Sequence, residues 1–136
     1  MSRSGYIDDW DEVGLMNLYR ANVARASMGK RGQKLLREMA AALDAMPVKE
    51  LVAGEIVRDS SHVCALGSVA LARGLDVSQL DPTDGETVGR TFGIASCLAR
   101  EIAYENDENG PETRAQRWTR MRAWVDANVR KETANG

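Results

Sequence analysis

The sequence predicts a mainly α fold, a compact bundle of five or six helices with room for one short β-hairpin near residues 54–64. Three observations lead there. Alanine, leucine and methionine carry most of the apolar content, and aromatics make up only 5% of the 136 residues; that bias favours helices. Apolar residues recur every three to four positions over most of the chain. Glycine and proline fall between those periodic stretches, where they punctuate helices.

The first helix is expected from Asp9 to about Ala26, with Val13, Met16, Tyr19 (or Leu18), Val23 and Ala26 on its apolar face. "MGKRG" interrupts the pattern with two glycines. The second helix should run from about Arg31 to Met46, with Leu35, Leu36, Met39, Ala42, Leu43 and Met46 inward, and Pro47 ends it. "ELVAGEIVRDSSHVCAL" is rich in β-branched residues and carries "RDSS" turn chemistry. A hairpin with arms near 54–58 and 62–64 fits; a helix over 48–57 competes with it.

"CALGSVALARG" reads as a helix stopped by Gly74. In "DPTD", Asp81 is the expected cap, Pro82 the first helical residue and Asp84 a first-turn acid. That short helix ends at Gly93. The next carries Ile94, Cys97, Leu98 and Ile102 on one side. Pro111 should open the last, on which Trp118, Met121, Val125 (with Trp124) and Val129 keep the period. The length suits a single domain over 1–136, with residues 1–8 and 131–136 expected to be flexible.

Composition excludes several classes. Cys64 and Cys97 form no CxxC pair, no cysteine–histidine cluster hints at zinc, and one histidine is too few for most histidine-based metal sites. No metal or cofactor is expected. The start "MSRSGYIDDWDEVG" is polar and acidic, unlike a signal peptide, and no apolar run could span a bilayer. A cytoplasmic location with reduced thiols is the expectation.

The net charge is −2 but unevenly spread. "DDWDE" at 8–12 is acidic. Arg20, Arg25, Lys30, Arg31, Lys34 and Arg37 follow without an intervening carboxylate. Those six are the leading binding candidates, for an acidic protein surface or for nucleic acid. Solvated helix faces are the plainer account. Secondary candidates are Glu105, Asp107 and Glu108 at an acidic helix end, and Arg122 with Trp124 in the last helix. With Glu101, the acids could hold a hard cation, although their spacing does not match an EF-hand. Trp118 and Trp124 with arginines between them could stack bases, yet helical spacing places Trp118 more simply in the core.

"HVCALG" admits a nucleophile, Cys64, at a helix start, with His62 nearby and Asn106 or Asp107 as an orienting group. No oxyanion hole accompanies it. "GSVALARG" lacks both the Walker and the Rossmann pattern. Close packing against small residues (Ala65, Gly67, Ser68, Ala70, Ala72) explains the stretch better, with Cys64 acting as a small hydrophobe. No catalytic residue is assigned.

Read together, "SGYIDDWD", "GKRGQKLLREMAAALDAMP", "VCALGSVALARGLD", "LDP", "FGIA", "LAREIAYENDE" and "RWTRMRAWV" resemble a group of small proteins encoded by tailed phages and bacterial prophages. The resemblance spans about residues 4 to 125 and brings no catalytic residue with it. It implies a bacterial host cytoplasm and a non-enzymatic accessory protein. Such a protein would bind and modulate a host protein or complex, with a defence (immune) effector as one class of target. Nucleic-acid binding through segment 20–37 is the alternative, and a cysteine-dependent enzyme comes third. The sequence leaves the oligomeric state open.

Overall fold

The structure, a computed structural model, describes the backbone of residues 4–130 and the side chains from Gly14 onward. The tail at 131–136 lies outside the described residues. So do residues 1–3; the chain is helical from Ser4. The elements are α1 (Ser4–Met28), α2 (Lys30–Ala45), β1 (Val57–Asp59), β2 (His62–Val63), α3 (Ala65–Arg73), α4 (Gly85–Phe92), α5 (Ser96–Asp107) and α6 (Arg114–Asn128). This is the mainly α bundle with one short antiparallel hairpin that the sequence predicts.

The core forms around α2. Leu35, Leu36, Met39 and Leu43 are fully buried, as their spacing requires. They meet α3, α6 and α1. Phe92, Leu98, Ile102, Met121 and Val125 complete the same cluster. Helix α3 is buried all round from Ala65 to Ala70; Ala72 is exposed. Gly74 and Gly93 end α3 and α4 in left-handed conformation.

The segment after Pro47 is irregular and not the competing helix. Its backbone groups find long-range partners: Leu51 N–H donates to Arg114 O at 3.1 Å and Val52 N–H to Val63 O at 2.9 Å. The hairpin is shorter than expected, with Val57 opposite Val63 and Asp59 opposite His62.

Three local expectations need correction. Helix α1 begins before Asp9 and covers less of its apolar face than the spacing implies. Tyr19, Val23 and Ala26 are half-buried, but Met16 is 53% exposed; the side chain of Val13 lies outside the described residues. Ala26 borders a hollow with Ala95, and Tyr19 Oη donates to Glu101 at 3.2 Å. Helices α1 and α5 therefore run in opposite directions, with the C-terminal half of α1 against the body.

Helix α4 starts at Gly85, not Pro82. Asp84 is the cap, accepting from Thr87 N–H at 3.2 Å and Thr87 Oγ1 at 2.8 Å. Asp81 instead closes the preceding turn through Thr83 N–H at 2.9 Å and Thr83 Oγ1 at 2.7 Å. Each aspartate has a threonine within capping reach, so either could start a helix. Asp84→Ala is expected to lower the melting temperature by more than Asp81→Ala; thermal unfolding of the two variants side by side checks the order.

Helix α6 starts at Arg114. Thr113 caps it in a capping box with Gln116, at 3.0 Å and 2.8 Å, while Pro111 stays in the loop.

Helices α1 and α2 meet at a corner with only Gly29, in extended conformation, between them. A Cβ on Gly32 would stand 2.0 Å from Ala26 O, so only glycine permits this approach. Buried Gln33 fastens the corner. It donates to Ser27 O at 2.6 Å and Asn128 O at 3.0 Å, and accepts from Arg130 N–H at 2.7 Å.

Candidate functional site

The corner carries the basic residues. Arg20 and Arg25 stand on α1; Lys30, Arg31, Lys34 and Arg37 stand on α2, on the side away from its buried leucines. All six are exposed. Arg25 donates to Asn22 Oδ1, and Arg37 donates to Arg130 O at 3.2 Å. Among the described residues none of the six is ion-paired with a carboxylate. A shallow hollow of ≈ 350 Å³ lies in the corner, lined by Arg25, Gly29, Lys30, Arg31 and Gly32 among others.

Of the other described arginines, Arg90, Arg100, Arg114 and Arg130 are also without a carboxylate among the described residues, while the rest are ion-paired. Arg58 pairs with Glu55 at 2.7 Å, Arg73 with Glu38 at 2.7 Å, Arg120 with Glu112 at 2.7 Å and Arg122 with Asp44 at 2.8 Å. Lys30 and Arg31 also occupy the first turn of α2, which has no capping side chain and no acid. That is the positive end of the helix dipole, where cations cost stability. Their placement does nothing for the helix that carries them.

The secondary candidates divide. Glu105 lies half-buried in a groove of ≈ 900 Å³ between α1 and α5, whose lining includes Arg20, so one residue of each set shares a groove. Burial first, then Glu101 beside it, pushes the Glu105 carboxyl above its ordinary range. Asp107 is structural: its Oδ1 accepts from Gly54 N–H at 3.1 Å and Asn106 Nδ2 at 2.8 Å. Glu108 is exposed at the end of α5. Arg122 is committed to both oxygens of Asp44, at 2.8 and 3.1 Å. Trp124 packs half-buried on the core. Trp118 is also half-buried, its indole N–H donating to Leu43 O at 3.2 Å and Lys49 over its ring at 5.5 Å.

Residues the sequence reading did not select line the same α1–α5 groove. Tyr104 is 59% exposed there, beside Met16 and Met28. Burial, then the Glu101 carboxylate, raises the Tyr19 hydroxyl pKa.

"HVCALG" is packing. Cys64 caps α3, its Sγ accepting from Gly67 N–H at 3.4 Å. Burial pushes the thiol up to about 11, which disfavours the nucleophilic thiolate. His62 turns to Asp59, 2.8 Å from Nδ1 to Oδ1, at the edge of the hairpin turn. Asn106 does not orient His62. Its side chain accepts from Ala65 N–H at 3.1 Å and donates to Val52 O at 2.9 Å.

Among the described residues no three histidine, cysteine, aspartate or glutamate side chains are grouped so as to hold a metal ion. No described helix is long and apolar enough to cross a membrane. Comparison of the chain with protein-family models, with curated proteins and with solved structures finds no match.

Proposed function

We propose that this chain is a non-enzymatic accessory protein of phage or prophage origin, working in the bacterial cytoplasm by binding and modulating a host protein. A defence effector complex is the target class we favour. The docking surface is the basic corner of α1 and α2. One observation carries this reading: all six cations are exposed and without a carboxylate partner among the described residues, Arg25, Lys30 and Arg31 line one hollow at the corner, and Lys30 and Arg31 stand in the first turn of α2, where a helix disfavours cations. Cations kept against local stability suit an external acidic surface, where they would steer association. The setting rests on the resemblance to phage-encoded proteins; the burial of Cys64, which raises its thiol pKa, supports the non-enzymatic part.

The test is a variant in which Lys30, Arg31, Lys34 and Arg37 are all glutamine, measured against the partner captured from a bacterial lysate. The melting temperature should hold or rise slightly, while association slows by roughly ten-fold and loses much of its salt dependence. Undiminished binding by a folded variant would place the interface elsewhere.

Nucleic-acid binding draws on the same cations, and the net charge of −2 weighs against it. A gel-shift series over salt separates the two, since phosphate contacts give affinity that falls steeply with salt. Binding at low salt that vanishes in the glutamine variant would favour this second reading.

A further inference from the structure

Helix α1 carries a second pattern, on the side next to its contact with α5. At seven-residue spacing, Asp8, Leu15 and Asn22 form one row along the helix, and Asp11, Leu18 and Arg25 the next. Leu15 is 65% exposed and Leu18 54%. Gly14 and Ala21 beside them are exposed too, and nothing lies within 4 Å of where a Gly14 Cβ would stand. These two leucines, one turn apart, border an open groove of ≈ 510 Å³ whose far wall is Ala95, Ser96, Cys97 and Arg100 of the α5 start. Both leucines lie open along this groove.

The charges of α1 say which helix fits. Its acidic stretch, 8–12, comes before the two leucines, and Arg20 and Arg25 come after them. The helix dipole accounts for only part of this order. It favours Arg25, in the last turn, but its influence falls off within the first and last turns, whereas the first turn of α1 has no acid and Arg20 lies two turns from the end.

We propose that α1 is a self-association helix, pairing antiparallel with α1 of a second copy of this chain along the Leu15–Leu18 seam. In that register position 15 faces 18, position 11 faces 22 and position 8 faces 25 of the other copy. The two-fold axis repeats each pairing. Leucine meets leucine at the centre, and an acidic position meets a basic one at both ends. A parallel pair would set acid on acid and base on base. The small residues at 14 and 21 let the backbones approach. Arg100, exposed on the far wall of the groove, adds a cation on the side where the acidic stretch of the second copy arrives. The seam shares Arg25 with the basic corner but uses none of Lys30, Arg31, Lys34 and Arg37, so the glutamine variant of those four tests the host partner without touching this pairing.

Sedimentation equilibrium of the full chain over a concentration series tests it. A dimer is expected, weakened by salt, and Leu18→Asp should raise its dissociation constant roughly ten-fold or more with an unchanged melting profile. The decisive arm is a charge exchange. Asp8→Arg and Arg25→Asp chains should each be monomeric alone at a concentration where the parent is dimeric. Mixed in equal amounts, they should form a heterodimer, because both end pairings are then opposite in sign. A parent chain that is monomeric up to its solubility limit overturns the proposal. So does a dimer that ignores Leu18→Asp, or a mixture that stays monomeric.

Discussion

Gly67→Ala is expected to destabilise the protein by about 3 kcal/mol or more, although it adds a single methyl group inside a helix. The Cβ would stand 2.0 Å from Ile56 O and 2.8 Å from the Val63 Cβ. Neither obstacle is the free end of a flexible side chain. Ile56 O is held by Cys64 N–H at 3.0 Å, and Val63 O by Val52 N–H at 2.9 Å. Moving either one lifts the hairpin from α3 and opens the core at Leu51 and Val63, both essentially fully buried. Gly14→Ala is the control. That glycine is also helical but has nothing within 4 Å of the added atom, so alanine should stabilise α1 by up to about 1 kcal/mol. Urea unfolding of both variants measures the contrast. Equal midpoints would mean that the hairpin does not rest on Gly67.

This explains the composition of "HVCALGSVALARG". The small residues are there because α3 is covered on nearly every side, and Gly67 is where the chain after Pro47 crosses it. Small-residue content made the close approach legible; the identity of the neighbour was not, because the contact joins segments without a shared period.

Elsewhere legibility followed the same logic. The buried face of α2 could be read because a helix in the middle of a core shows its period plainly. The ends of α3 and α4 could be read because a left-handed stop selects glycine. The start of α4 was misplaced because Asp81 and Asp84 offer equal local chemistry, and tertiary fit chooses between them. The start of α6 did have a signal, Thr113 followed three residues later by Gln116, which the neighbouring Pro111 obscured. Helix α1 misled because its apolar residues serve two sides. Tyr19, Val23 and Ala26 turn toward α5, while Leu15 and Leu18 are left to solvent in the single chain. For the candidate site, the basic run was legible as a list. The meeting of Arg25, Lys30 and Arg31 at one corner depends on Gly32 and Gln33, whose roles are visible only in three dimensions.

Arg117 was hidden among the arginines of "RWTRMR", and its loss should be the second large effect. It is 7% exposed and shares a face with Met121 and Val125, at four-residue spacing. Its Nε donates to Asn106 O at 2.9 Å and its Nη1 to Leu51 O at 3.3 Å, and Glu112 lies 3.4 Å away. One guanidinium thus ties the end of α5, the irregular segment after Pro47 and the loop before α6. Arg117→Leu keeps much of the apolar bulk but leaves Leu51 O, deep in the core, without this donor. It also takes one cation from a nearly covered carboxylate. Removing one partner of such a buried pair typically costs about 3–5 kcal/mol, and a loss of about 3 is expected here. Arg122→Leu breaks a pair with an exposed aspartate and should cost under about 1 kcal/mol. The same network contributes to the acid limit. Arg120 foremost, with Asn109 and Arg117, holds the Glu112 carboxyl below its ordinary range. Its contribution is therefore full above about pH 5 and is lost as pH falls through the lowered value. Chemical denaturation of the two arginine variants at neutral pH, and of the parent chain from neutral to acid, measures both effects. An Arg117→Leu variant no weaker than Arg122→Leu would show that the segment after Pro47 is held by its apolar contacts alone.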